Sequence, residues 1–439
     1  MPAQSPDASS AGAFALLERL YSLAVAAAHP RICLPPHLPM PPERGRLIVV
    51  GAGKASAAMA VATEDHYAAL GLADHVFGRI ATRHGFALPT RRLGIDEAGH
   101  PVPDEDSRRA AEDALARAAT ATPDDVVLVL LSGGASAIWS APVAGIGFDE
   151  KQDLTRALLR AGARISEINT VRRHISRIKG GKLAAAAAPA RLLTLAISDV
   201  PGDLPEAIGS GPTVADPTTL ADARDVLRRY DITPSAGIAA ALADPANETL
   251  KPGAQALAHA RYEIVARPSR SLELAADAAR AAGYEVKVLG DALEGEAREV
   301  ARAHARLALD ARAEGRRLAI LSGGELTVTV TGDGRGGPNQ EYALALAIAL
   351  DGASGIHAIS GDTDGIDGGA GEPTDPAGAR VGPDTLMRAR ANGLDAASRL
   401  AANDSTGFFA PLGDLLMPGP TQTNVNDFRA VLVSPPPSR

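Results

Sequence analysis

The stretch 318–340, LAILSGGELTVTVTGDGRGGPNQ, decides how the chain is read. Residues 318–321 form a short apolar run bounded by glycines, the pattern of a buried strand. Ser322-Gly323-Gly324-Glu325 follows, then a β-rich segment over 326–331. Next comes Gly332-Asp333-Gly334-Arg335-Gly336-Gly337, and Asn339 and Gln340 open an Ala- and Leu-rich segment that predicts a helix. Glycines at a strand end let backbone approach a ligand closely, and the first N–H groups of a helix lack intrahelical partners and attract anions. Arg335, set among four glycines, has little beside it to hold its side chain and could grip an oxyanion. A Gly-rich turn carrying a solvated Arg reads the same residues equally well.

Working outward, the strand-then-glycine pattern recurs. A strand over 46–50 runs into Gly51-Ala52-Gly53-Lys54-Ala55-Ser56 and an Ala-rich helix. A P-loop needs four residues between its first Gly and the Gly-Lys pair, and only Ala52 stands there. A dinucleotide fingerprint needs a third Gly where Ser56 sits, and the acidic residue closing the second strand is missing. What survives is an ammonium, Lys54, at a helix start, where charge and dipole favour a phosphate. A second strand, 125–131, ends in Ser132-Gly133-Gly134-Ala135-Ser136-Ala137. Residues 168–183 gather Arg172, Arg173, His174, Arg177, Lys179 and Lys182 about Gly180-Gly181, a solvated face or an anion site. A strand over 192–197 delivers Ser198-Asp199-Val200-Pro201-Gly202-Asp203, where Asp199 and Asp203 could hold Mg²⁺ or serve turn geometry alone. A strand over 357–360 ends in Gly361-Asp362-Thr363-Asp364-Gly365-Ile366-Asp367, which lacks the ligand spacing and closing Glu of an EF-hand.

Composition narrows the function classes. The 439 residues carry a formal net charge of −8, which argues against nucleic acid or an anionic membrane as partner. Aromatic residues make up 3%, too few for base-stacking platforms. One cysteine, Cys33, excludes an internal disulfide and a cysteine zinc site. No basic flank with an apolar core opens the chain, and no apolar run approaches the roughly 20 residues that span a bilayer. A cytoplasmic enzyme is expected. Alternating βα units predict parallel sheets with helices on both faces, in two lobes. The expected layout is a loose tail over 1–12, a Rossmann-like α/β/α domain over 13–255 and a smaller mixed α/β domain over 256–435. Sites then collect at strand C-termini and in the cleft between lobes.

The motifs GAGKAS (51–56), SGGASA (132–137), INTVRRHISRIKGGKLA (168–184), ISDVPGD (197–203), SGPT (210–213), SGGE (322–325), GRGGPNQE (334–341), SGDTDGIDG (360–368) and GPTQTNVND (419–427) resemble the class II glycerate 2-kinases. That family joins a glycerate-kinase N-terminal domain to a MOFRL C-terminal domain, and some relatives are called hydroxypyruvate reductases. The resemblance spans nearly the whole chain in order. Pro418 departs from it, standing where the family has Thr.

The resemblance implies ATP-dependent phosphorylation of D-glycerate at its 2-hydroxyl, with Mg²⁺ as companion ion. The family's lysine falls on Lys54 and its arginine on Arg335, and its acidic residues on Asp199 and on Asp362 or Asp364. Phosphoryl transfer needs positioning and charge neutralisation more than covalent chemistry. Lys54 and Arg335 are therefore expected to neutralise the transferring phosphoryl group and the glycerate carboxylate, with Asp199 or Asp364 orienting the hydroxyl. Substrate and phosphate contacts are expected from Ser132, Gly133, Gly134, Ser136, Arg172, Lys182, Ser322, Gly323, Gly324, Glu325, Gly336 and Asn339. Asp199, Asp203 and Asp362 are the metal candidates. Glycerate and a nucleotide are the expected partners, with a homodimer left open. Two other readings stand beside this one: an NAD(P)H-dependent hydroxypyruvate reductase, and a non-catalytic sensor of a small anion.

Overall fold

The computed structural model describes residues 10–435 and divides the chain into two compact units. One runs from Pro30 to Val265; the other joins the segment ending at His29 to the chain from Ala266 onward.

The first unit is built on β1 (Leu47–Ala52), β2 (Val76–Arg83), β3 (Gly94–Ala98), β4 (Val126–Leu131), β5 (Arg191–Ile197) and β6 (Ala260–Ala266). They form one sheet in the order β3-β2-β1-β4-β5-β6. The pairs β1–β2, β1–β4, β2–β3 and β4–β5 are parallel. Every residue of β1 and β4 is buried, as expected of central strands covered on both faces. This is the Rossmann strand order, and the connection reverses direction between β1 and β4. In such sheets the crevice outside the carboxyl ends of those two strands is where ligands bind. Register puts Ala52 beside Leu131 and Leu131 beside Ala196. The turns carrying Lys54, Ser132 and Asp199 thus leave neighbouring strands at one edge.

The second unit has a mixed sheet of β7 (Glu285–Val288), β8 (Leu318–Ser322), β9 (Ile356–Asp362), β10 (Gly378–Val381), β11 (Leu415–Leu416) and β12 (Asp427–Val433). Their order is β11-β10-β9-β12-β8-β7. Only β7–β8 is parallel; β12 runs antiparallel between β8 and β9. Helices Ala297–Ala313 and Pro338–Leu350 pack in one core cluster with this sheet.

Two expectations change here. The N-terminal helix, Ser10–Ala27, belongs to the C-terminal unit, so the first domain does not start at residue 13. Its Leu17, Leu20 and Ala24 are fully buried against Leu272, Ala276, Phe428 and Leu432, and Tyr21 donates from its hydroxyl to Asp362 O at 2.7 Å. This helix is long and apolar enough to cross a membrane, and the core it fills accounts for that composition. Its first turn also takes residues 10–12 from the expected tail, whose remainder lies outside the described residues. At the other boundary β6 stays with the parallel sheet, moving the division from 255 to 265.

Residues 326–331 are not a strand either. A lone bridge pairs Glu296 with Thr327, the Thr329 N–H goes to the Glu296 carboxylate, and the Thr331 N–H goes to Asn403 Oδ1 at 2.8 Å. Side-chain acceptors replace the ladder. Leu20→Ala should cost about 2–5 kcal/mol, the range for emptying a close-packed leucine site. Chemical denaturation of the full chain, followed by a probe in the C-terminal unit, would show the loss.

Candidate active site

At the β1 and β4 ends, the Lys54 N–H donates to Gly133 O at 2.8 Å, and the Ala55 N–H to Ser132 Oγ at 2.9 Å. The two turns are thereby tied into one loop pair. Gly134 has φ 82°, and a Cβ there would lie 2.8 Å from the His100 ring and 3.4 Å from Lys54 Cγ. Only glycine lets these three groups meet.

Behind this pair lies a buried cationic cluster. Lys179, fully buried, donates to Ser136 O and Ser136 Oγ, both at 2.9 Å. Arg172 donates to the same carbonyl at 3.3 Å and to Asn169 Oδ1 at 3.5 Å. Ser136 Oγ meets Ser210 Oγ at 2.8 Å. Lys151 is 4% exposed and donates to Ser140 Oγ at 3.0 Å. Among the described residues, Arg173 alone of these cations pairs with a carboxylate, Asp216 at 3.1 Å. Burial, reinforced by Arg172, lowers the Lys151 ammonium to about 7. Burial among Arg172, Lys151 and Arg173 holds Lys179 well below the usual lysine range. Cations removed from water without counter-charges are costly, and an anion brought among them recovers part of that cost.

In the other unit, the buried guanidinium of Arg429 donates to Gly323 O at 2.8 Å and Gly324 O at 3.3 Å, and pairs with Asp427. Gly324 has φ 87° and would drive a Cβ to 2.2 Å from Leu293 backbone atoms. Asn339 Nδ2 donates to Asp427 Oδ1 at 2.6 Å, and Ser360 Oγ to Asn339 Oδ1 at 2.6 Å. Asp367 accepts the N–H groups of Asn339 and Gln340, each at 2.9 Å. The Ser322 hydroxyl is buried with no hydrogen-bond partner among the described residues. Arg335 is exposed, and its guanidinium forms no ion pair among them; only its backbone is held, by Asp404 and Thr406. Non-glycine residues with positive φ sit in several of these loops: Asp203 (55°), Ser210 (63°) and Asn426 (63°). Strain of this kind concentrates at functional sites.

Comparison with known proteins identifies the family. The model of a domain of unknown function, DUF4147, matches residues 16–243, and the MOFRL family model matches 318–427. A glycerate 2-kinase of Pyrococcus horikoshii is 38% identical over 402 residues, covering 89% of this chain and 88% of its own. The crystal structure of glycerate kinase from Thermotoga maritima superposes with a TM-score of 0.84 at 36% identity, covering 95% of this chain and 99% of that one. A protein of Agrobacterium vitis called putative hydroxypyruvate reductase is 51% identical, covering 95% of this chain and 94% of its own. The chain belongs to the glycerate kinase family.

Among the family positions expected from sequence, Lys54, Ser132, Gly133, Gly134, Ser136 and Arg172 come together in the first unit. Ser322, Gly323, Gly324 and Asn339 come together in the second, while Glu325 is exposed beside them. Gly336 packs on Ser405, where a Cβ would meet Oγ at 2.1 Å. Lys182 is a correction. Its ammonium donates to Ser176 O and Asn247 O at 2.8 and 2.9 Å, so it ties backbone rather than facing the loop pair.

The metal candidates divide between the units, Asp199 and Asp203 in one and Asp362 in the other; among the described residues the one grouping of three ligand-type side chains is His84, Asp104 and Asp106. Asp362 and Asp364 serve their own turn, accepting the Asp364 and Ile366 N–H groups at 2.9 Å. The sequence did not single out Lys151, which sits in the acidic run Asp149-Glu150-Lys151-Gln152-Asp153, or Arg429, two residues after Asp427, whereas Lys179 stood among the cations of the basic run.

The depressed Lys151 has a consequence for stability. Its folded value, about 7, lies below the unfolded lysine value, so burial destabilises fully below pH 7 and is relieved toward pH 10. Lys151→Met should therefore raise the unfolding free energy more at pH 6 than at pH 9, by on the order of 2 kcal/mol. Denaturant titrations at the two pH values would decide it.

Proposed function

We propose that the protein transfers the γ-phosphoryl group of ATP to the 2-hydroxyl of D-glycerate, giving 2-phosphoglycerate. The observation that supports this most is Lys54. Its ammonium stem rises against Gly134 at the reversal point of a Rossmann-ordered sheet, in a chain whose relatives include glycerate kinases. The 2-hydroxyl oxygen would attack the γ-phosphorus as the bond to ADP breaks, and the hydroxyl proton would pass to an aspartate, Asp199 or Asp364. Lys54 and Arg335 would offset the charge on the transferring group and on the glycerate carboxylate, Arg through a two-pronged contact and Lys as a point charge. Ser132, Gly133 and Gly134 would offer oxygen and nitrogen contacts to phosphate oxygens.

Mg²⁺ would be held by carboxylate oxygens together with the phosphates, as this ion prefers, and would neutralise phosphate charge. Asp199 and Asp203, hard oxygen donors on one strand-end loop, fit that role. The reductase name borne by the Agrobacterium vitis relative belongs to the same fold, but the dinucleotide fingerprint is broken at Ser56.

Incubation with glycerate and Mg-ATP should release ADP, whereas hydroxypyruvate with NADH should leave NADH absorbance unchanged. In the ³¹P spectrum the product phosphate should be split to a doublet by the single C2 proton; a triplet would place it on the C3 oxygen. Lys54→Ala and Arg335→Ala should each lower kcat/KM by about 10²–10³-fold, the scale of a lost oxyanion donor. Near-normal turnover in either variant would remove that residue from the chemistry.

A further inference from the structure

One cavity of the N-terminal unit has a build that the transfer chemistry above does not use. It holds about 250 Å³ between the helices Phe148–Arg160 and Ile165–His174 and the loop after β3. Its polar side includes buried Lys151 and half-buried Arg172, neither of which forms an ion pair among the described residues. Its rim is apolar: Val102, Leu159 and Ile165 are all large side chains left exposed, and all three line it. Exposed apolar side chains gathered round a concave site mark a ligand surface, whereas scattered ones need no explanation. Gln152 adds an amide whose nitrogen is committed to Pro103 O at 2.6 Å.

The occupant must join a flat apolar body to strong negative charge. Glycerate is too small and too polar to use such a rim. An adenine nucleotide has both parts. The cavity is too small to enclose a nucleoside triphosphate, so the phosphates would have to leave it, and the cations mark the way out. Arg172 also binds Ser136 O, in the loop whose Gly133 and Gly134 touch Lys54 and His100. Pro101, the residue after His100, lines the cavity. Cavity and loop pair are thus contiguous within one unit.

We infer that this cavity is the adenine nucleotide site, with base and ribose against Val102, Leu159 and Ile165 and the phosphates passing Lys151 and Arg172 toward the 132–136 loop. The inference rests on the kinase reading for its choice of ligand and deepens it by assigning the donor to the N-terminal unit.

The test is direct binding of a fluorescent ADP analogue to the full chain, paired with steady-state kinetics. Leu159→Glu and Ile165→Glu change exposed positions, so folding is spared while the rim gains negative charge. Lys151→Met removes a buried charge that costs stability, so weakened binding there would not reflect unfolding. Each variant should weaken ADP binding at least tenfold and raise the KM for ATP correspondingly, with the KM for glycerate within twofold of wild type. Unchanged ADP binding in all three variants would overturn the assignment. So would a rise confined to the KM for glycerate, which would hand the cavity to the acid. A wild type that binds ADP but releases none from ATP and glycerate would defeat the kinase reading alone, and the binding series would still decide the cavity.

Discussion

The glycine loops of the C-terminal unit hang on the carboxylate of Asp367. It is buried, and it accepts the first two free N–H groups of the Pro338–Leu350 helix together with the side-chain amides of Asn339 and Gln340. A helix start cannot satisfy those N–H groups internally, so an acceptor has to come from elsewhere. Here it comes from the loop after β9, and that single choice brings two distant loops together. Gly337 fits only because it lacks a side chain: a Cβ would lie 2.4 Å from Asp367 backbone atoms. Arg335, two residues earlier, is thus offered from a loop pinned at its helix end by Asp367 and at its other side by Asp404. The anchoring is not free, since burial raises the Asp367 carboxyl to about 7 against four N–H donors that favour its charged form.

The N-terminal unit meets the opposite electrostatic problem with the opposite charge. Lys179 and Arg172 converge on the Ser136 carbonyl, so backbone oxygens stand where carboxylates would otherwise balance them. A carbonyl supplies a hydrogen bond but no net charge, and the cluster stays electron-poor in a protein whose net charge is −8. Such a cluster costs stability by itself. Its positive field is local and lies beside the loop pair bearing Lys54, which suits the handling of an anion.

Both units hold their glycine turns with a buried cation aimed at backbone carbonyls. Arg429 does so for Gly323 and Gly324, Lys179 and Arg172 for Ser136. A rigid turn keeps its N–H groups and hydroxyls aimed, and preorganised donors stabilise developing charge without reorganising during reaction. The Ser322 hydroxyl, buried and without a partner among the described residues, is in keeping with that arrangement.

What the sequence by itself determined is the local part of this protein. Apolar runs at 126–131 and 318–321 became strands, glycines after them became the site turns, and Lys54 and Ser132 fell beside one another because parallel neighbouring strands end at one edge. Local pattern could not show where side-chain charges point. Lys182 and Lys179 lie three residues apart in one basic run, yet one ties backbone at Asn247 and the other grips the site loop. Nor could it place the Ser10–Ala27 helix, whose periodicity gives a helix but not the sheet it covers. Residues 326–331 have strand composition, and acceptors from Glu296 and Asn403 claimed their N–H groups instead. Those outcomes depend on partners distant along the chain, and partners are chosen by which surfaces can be buried together. That choice is made only when the tertiary structure forms.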